Sequence, residues 1–138
     1  MVGAYHGQSI DPHYAGYFDC FNRQLFFEAH DVLENLWLKD KQGPNGSFYK
    51  GLIQLAGAFV HLQKDRLRPA AALFKLARTH LGKYPRVHEQ LDMKTVHALI
   101  EKWLGAVESN HFNVNPLASN VAPNLQLLSD EKSGAKEN

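Results

Sequence analysis

The sequence predicts a single all-α domain, a bundle of about five helices. Its 138 residues fit one domain, and 44% hydrophobic with 21% charged residues is typical of a globular protein. Apolar residues recur with the 3.6-residue period of helices, and no stretch alternates with the period of strands. We therefore expect an N-terminal lead over 1–10, a helical domain over 11–109 and a flexible tail over 110–138.

The first two helices lie close to the start of the chain. Asp11 followed by Pro12 is typical of a helix start, because the carboxylate can accept a backbone N–H and proline suits the first turn. Asn22 interrupts this helix, and a second one is predicted over 23–39. The turn KQGPNG at 41–46 ends it. The apolar stripe of the first helix consists of Tyr14, Tyr17, Phe18 and Phe21.

Three more helices are predicted after this turn. Ser47 is expected to cap a helix over 48–66, Pro69 suits the first turn of a fourth helix that ends near Gly82, and Asp92 caps the fifth. The apolar stripes, in order, are Leu52, Leu55, Ala56, Phe59 and Leu62; Ala70, Leu73, Phe74, Ala77 and Leu81; and Val96, Leu99, Ile100, Trp103, Leu104 and Val107.

The tail differs in composition from the helical part. Asn, Ser and Pro predominate from Asn110 onward, which indicates a mobile segment. An apolar group within it is expected to dock on the bundle. Its members are Leu125, Leu127 and Leu128.

Cysteine usage and hydropathy limit the cellular setting. The single cysteine, Cys20, excludes an internal disulfide. The longest uncharged stretch, 51–63, is shorter than the ~20 residues that a membrane-spanning helix needs. The first residues show no signal-peptide pattern. We therefore expect a cytoplasmic protein without a membrane partner.

The predicted second helix carries polar residues on a face that should be apolar. On a helical wheel His30 and Glu34 lie one turn apart, bracketed by the apolar residues Phe26, Phe27 and Trp37. Residues at such a position are candidates for chemistry.

The predicted third helix has a similar polar stripe beside Gly57, where a missing side chain permits close approach. The stripe consists of Lys50, Gln54, His61 and Lys64. If the second and third helices form an antiparallel hairpin, His30 and Glu34 can face Gln54 and His61.

Three interpretations of these residues remain open. The first is a structural patch in which a histidine is hydrogen-bonded to a carboxylate. The second is a divalent metal site, because His30, Glu34 and His61 would supply two imidazoles and a carboxylate. The third is a pocket for a small organic or anionic ligand, with Trp37 and Phe27 as walls and Lys50 as its charge.

Charge is unevenly distributed, although the net charge is only +1. Seven basic residues and one acidic residue, Asp65, lie between Lys64 and Arg86. Such a basic band could bind an anion or a nucleic acid, but a solvent-exposed helix face has the same composition. Aromatic residues are not interleaved with it, so nucleic-acid binding is disfavoured.

Two sequence blocks resemble a known family. The blocks are FNRQLFFEAHDVLENLW at 21–37 and FYKGLIQLAGAFVHLQK at 48–64, and they are similar to the domain of unknown function 309 family over about residues 17–82. The resemblance implies an all-α bundle with tetratricopeptide-like hairpins, and no established activity. The motif positions that it carries over are Glu28, His30, Glu34, Trp37, Lys50, Gly51 and Gln54.

Taken together, these observations favour a non-catalytic module that binds a small ligand or a protein through a pocket between helices two and three. The candidate pocket residues are Glu28, His30, Glu34, Trp37, Lys50, Gln54 and His61. The main alternative is a metal-dependent hydrolase with His30, Glu34 and His61 as ligands and Glu28 as base. A second alternative is an anion or nucleic-acid binder that uses the basic band, 64–86. No cofactor is required by the sequence.

Overall fold

Five α-helices make up most of the fold in the computed structural model, which describes residues 10–109 and 111–128. They are α1 Pro12–Asn22, α2 Phe26–Lys39, α3 Gly46–Gln63, α4 Leu67–Leu81 and α5 Met93–Glu108. Short connections make successive helices antiparallel neighbours, and α3 packs against both α2 and α4. The predicted all-α class is confirmed. None of the helices in the described ranges is long and apolar enough to cross a membrane.

Two of the predicted helix caps are confirmed. Asp11 Oδ1 accepts a hydrogen bond from the backbone N–H of His13 at 2.7 Å, and Asp92 Oδ1 accepts one from Lys94 at 3.0 Å. The second helix begins later than the predicted residue 23. The chain turns back at Gln24, whose φ of 63° is left-handed, before α2 starts at Phe26.

The predicted cap of α3 by Ser47 is wrong. The helix already begins at Gly46, and the hydroxyl of Tyr84 accepts the hydrogen bond from the backbone N–H of Phe48 at 2.9 Å. The same hydroxyl donates to the carbonyl oxygen of Pro44, also at 2.9 Å. Ser47 instead accepts a hydrogen bond from Lys83 at 3.1 Å. The side chain of Tyr84, which is distant in sequence, therefore caps α3 in place of a local residue.

We expect Tyr84→Phe to lower the free energy of unfolding by about 1–2 kcal/mol, because the N–H of Phe48 loses its partner in a half-buried position. Urea denaturation followed by circular dichroism measures this loss. Ser47→Ala is the matched control and should cost less than about 0.5 kcal/mol. Equal losses in the two variants would contradict the assignment of the cap.

The core is organised around one phenylalanine of α3. Phe59 is fully buried, and its ring centroid lies 5.0–5.7 Å from four aromatic rings. These belong to α1, α2, α4 and α5, and they are Phe21, Phe26, Phe74 and Trp103. Since these four helices all meet at one ring, Phe59 couples them in a single core.

The helices α3 and α4 approach each other closely at Gly51. A Cβ atom at this position would lie 2.6 Å from Cγ of Leu81 and 3.2 Å from Cβ of His80. Only glycine fits such a contact, because real Cβ atoms do not approach other carbons so closely. The contact holds His80 against α3, next to the polar stripe.

The segment between α4 and α5 contains a small β-hairpin that the sequence pattern does not reveal. Val87–His88 (β1) pairs antiparallel with Leu91–Asp92 (β2). Two-residue strands are too short to show alternation. The turn between them, at Glu89 and Gln90, has positive φ at both residues, as tight hairpin turns require.

The described part of the predicted tail, 111–128, contains a 3-10 turn at Pro116–Ala118 and an extended end. The expected docking of Leu125 and Leu127 is found, since both side chains are buried. The side-chain amide of Asn22 donates to the carbonyl oxygen of Leu125 and accepts its N–H, both at 2.7 Å. The rest of the tail and nearly all of the lead at 1–10 lie outside the described residues.

Candidate functional site

A cavity of about 310 Å³ lies along α3, between α2 and α4. Most of its lining comes from one face of α3, at a spacing of three or four residues that places side chains in a row. The lining residues are Phe27 and His30 of α2; Lys50, Ile53, Gln54, Gly57, Val60 and His61 of α3; and Leu73 of α4. Apolar side chains form the walls, and four polar side chains converge on the space between them.

The absence of a side chain at Gly57 keeps the middle of this cavity open. A Cβ atom there would lie 3.1 Å from Cδ1 of Leu73 on α4, which is tight but not prohibitive. A larger residue at this position would occupy the space that the polar groups face.

The orientation of Gln54 is determined by a histidine of α4. Nδ1 of His80 lies 2.8 Å from Oε1 of Gln54 and 3.2 Å from the carbonyl oxygen of Leu76. Because that carbonyl can only accept, the tautomer of His80 with a proton on Nδ1 serves both contacts, and Oε1 of Gln54 is then the acceptor. The NH₂ group of Gln54 is therefore left to donate hydrogen bonds to a ligand in the cavity, although the residue is only 9% exposed.

Lys50 is the single lysine or arginine among the described residues that line the cavity. Its Nζ lies 4.3 Å from the ring centroid of Trp37, in cation–π contact. Lys41 contacts the same ring at 5.4 Å but does not line the cavity. Among the described residues no carboxylate oxygen lies within 4.0 Å of the Lys50 ammonium, so its charge is available to a ligand.

Two histidines complete the polar lining. The Nδ1 atoms of His30 and His61 are buried, and neither has a hydrogen-bond partner within the described ranges. Burial lowers the pKa of His61, and the positive charges of Arg66 and Lys64 lower it further. His61 is therefore neutral at pH 7. The ring of His30 stacks on Phe27 at 6.1 Å between centroids.

The structure brings together four of the seven predicted pocket residues, which are His30, Lys50, Gln54 and His61. Trp37 lies behind Lys50 as a half-buried support. Glu34 and Glu28 do not line the cavity. Glu28 is exposed near Cys20, whose pKa is raised by burial and, to a smaller extent, by the negative charges of Asp19 and Glu28.

The predicted metal ligands are only partly grouped. Ligand atoms of His30, Asp31 and Glu34 lie within 4.8 Å of one another, whereas His61 is not a member of this group. Because these three residues lie within about one turn of α2, their proximity follows from their spacing in the sequence. Exposed carboxylates with this arrangement are common without an ion.

The basic band, 64–86, has three of its seven cations in ion pairs within the described structure. These pairs are Lys75 with Glu108 at 3.1 Å, Arg78 with Glu101 at 3.1 Å, and Arg86 with Asp92 at 3.3 Å. A fourth, Arg68, lies 4.2 Å from the ring centroid of Phe112. The band therefore presents less unpaired positive charge than its sequence suggests.

Sequence reasoning missed two contributors from α4. His80, which contacts Gln54, is not among the predicted site residues, and Leu73 is predicted only as part of a buried stripe, although it also forms one wall of the cavity. Helical periodicity shows which face a residue occupies but not which helix it meets. The one available signal was Gln54, a polar residue between the apolar residues Ile53 and Leu55 of α3.

The family comparison covers the part of the chain that forms this cavity. Residues 14–73 match the family model described as Domain of unknown function (DUF309). This segment is similar to the DUF309 family. The resemblance seen in the sequence is thereby confirmed. The matched segment extends from α1 into α4 and contains every described residue that lines the cavity, whereas His80 lies beyond it. Neither the curated proteins nor the solved structures contain a match.

Proposed function

We propose that this protein is a non-catalytic binding module, and that it takes a small, partly apolar molecule into the cavity between α2, α3 and α4. The observation that supports this proposal is the convergence of Lys50, Gln54, His30 and His61 on one cavity with apolar walls. Ligand sites in proteins typically combine an apolar lining with a few polar groups that orient the ligand.

The state of the polar groups favours ligand binding over a purely structural patch. In a structural patch each buried polar atom is satisfied by a protein partner. Here two imidazole nitrogens have no partner among the described residues, and the charge of Lys50 is unpaired by carboxylates there. The volume of about 310 Å³ lies at the lower end of the usual range for ligand pockets and suits a small metabolite.

The two alternatives from the sequence receive less support. A metal-dependent hydrolase would need His61 close to His30 and Glu34, but the described cluster contains Asp31 in its place. A nucleic-acid binder would use the cations of the basic band, and three of the seven are engaged with α5 or with the residue before it, which reduces the charge available to phosphates.

The proposal can be tested with three two-ring probes of similar size, 2-naphthoate, 2-naphthamide and 2-naphthylmethylamine. Titration of ¹⁵N-labelled protein should shift the backbone amide signals of α3 between Lys50 and His61 for at least one probe. Leu73→Trp should abolish this binding, because the larger side chain fills the cavity from α4. Dissociation constants in the millimolar range are sufficient for this measurement.

The matched control is Leu76→Trp, which makes the same change one turn later on an exposed part of α4. It should leave probe binding intact. The proposed function is wrong if none of the three probes binds, or if binding survives Leu73→Trp as well as it survives Leu76→Trp.

A further inference from the structure

We propose that the ligand of this cavity carries a carboxylate, which is bound jointly by Lys50 and Gln54, and that His80 is the positioning residue that makes Gln54 a donor. This inference rests on the proposed function and specifies its ligand class. It depends on which hydrogen-bonding groups the cavity presents and on the charges around them.

The donors are adjacent on one helix face. Lys50 and Gln54 are four residues apart on α3 and therefore one turn apart. Lys50 offers three N–H donors and no acceptor. Gln54 offers two N–H donors, because its carbonyl oxygen is held by His80. A group that accepts several hydrogen bonds and carries negative charge matches this pair.

His80 is responsible for the donor character of Gln54. The side-chain amide of a glutamine can rotate to exchange its oxygen and nitrogen, so its chemistry depends on its partners. Nδ1 of His80 is shared between Gln54 and the carbonyl oxygen of Leu76, which requires a proton on Nδ1. Rotation of the amide would direct NH₂ towards that N–H, and two donors would then face each other.

The surrounding charges also favour an anion. Asp31 and Glu34, the acidic groups near His30, do not line the cavity. At the opposite end Lys64 and Arg66 lie close enough to lower the pKa of His61, so the potential there is positive. The rest of the lining, including Ile53, is apolar and suits the hydrocarbon body of an organic acid.

The decisive experiment compares the affinities of 2-naphthoate and 2-naphthamide, which differ in charge but hardly in shape. We expect the carboxylate to bind about ten- to hundredfold more tightly, because a hydrogen bond to a charged group is lost with the amide. Isothermal titration calorimetry or the amide shifts of α3 give both dissociation constants.

Two lysine variants provide a matched pair. Lys50→Met and Lys41→Met each remove an ammonium group from the ring of Trp37, but only Lys50 lines the cavity. Lys50→Met should weaken 2-naphthoate binding about tenfold or more, while Lys41→Met should leave it nearly unchanged. Equal effects would overturn the inference.

Two variants test the role of Gln54 and its positioning residue. Gln54→Glu keeps the acceptor for His80 but replaces the NH₂ group by an oxygen, so 2-naphthoate affinity should fall at least tenfold. His80→Leu frees the amide to rotate, so the ratio of the 2-naphthoate and 2-naphthamide affinities should decrease. A merely structural His80 would change both affinities alike and leave the ratio unchanged.

The outcomes separate this inference from the proposed function. If 2-naphthamide or 2-naphthylmethylamine binds as tightly as 2-naphthoate, and Leu73→Trp abolishes that binding, the cavity is a ligand site but the carboxylate assignment is wrong. If no probe binds, the proposed function fails and the inference fails with it.

Discussion

Replacement of Phe59 by alanine is expected to lower the free energy of unfolding by about 3–5 kcal/mol. The ring is fully buried and contacts aromatic rings from four other helices. Its removal leaves a cavity that those rings cannot all close, because each is anchored in a different helix. Chemical denaturation followed by far-ultraviolet circular dichroism gives the loss directly.

Phe27→Ala is the matched control for this prediction, since the same ring is removed from a side chain that is 60% exposed. It should cost less than about 1 kcal/mol. Domains of this size are typically stable by about 5–15 kcal/mol, so Phe59→Ala leaves a weakly stable protein while Phe27→Ala does not. Similar losses in the two variants would show that Phe59 is not the centre of the core.

Gly51→Val is expected to destabilise the fold by about 3 kcal/mol, at the upper end of the range for overpacking. The Cβ atom alone would lie 2.6 Å from Cγ of Leu81, and valine adds two methyl groups beyond it. Leu81 is fully buried and cannot move away. Thermal and urea denaturation measure the effect.

The control for this change is Gly105→Val on α5, where a Cβ atom would meet nothing within 4 Å. It should be nearly neutral, because valine and glycine differ by only about 0.5 kcal/mol in helix propensity. Leu81→Ala should recover part of the loss in the Gly51→Val background, since it removes the clashing atoms. Additive losses in the double variant would contradict a direct clash.

Local features of the fold could be predicted from the sequence. The caps at Asp11 and Asp92 depend on hydrogen bonds between residues two positions apart, so they are visible in a short window. The apolar stripes of the helices are equally local. The β-hairpin before α5 is local too, but its strands are too short to produce a pattern.

Features that depend on tertiary contacts could not be predicted. The cap of α3 comes from Tyr84, whose hydroxyl accepts a hydrogen bond from the backbone N–H of Phe48, 36 residues earlier in the chain. The positioning of Gln54 by His80 spans 26 residues. In the candidate site, periodicity selected the polar face of α3, but the contribution of α4 follows from the close packing at Gly51 and is invisible to any helical wheel.

The hydrogen bonds between Asn22 and Leu125 can form only late in the synthesis of this protein. The two residues are 103 positions apart, and a ribosome that adds about 5–20 residues per second needs roughly 5–20 seconds to cover that distance. The helices α1 to α4 emerge and can pack during this interval, while the amide of Asn22 still faces water. The segment around Leu125 can therefore pack on α1 only after the helices between them have been made.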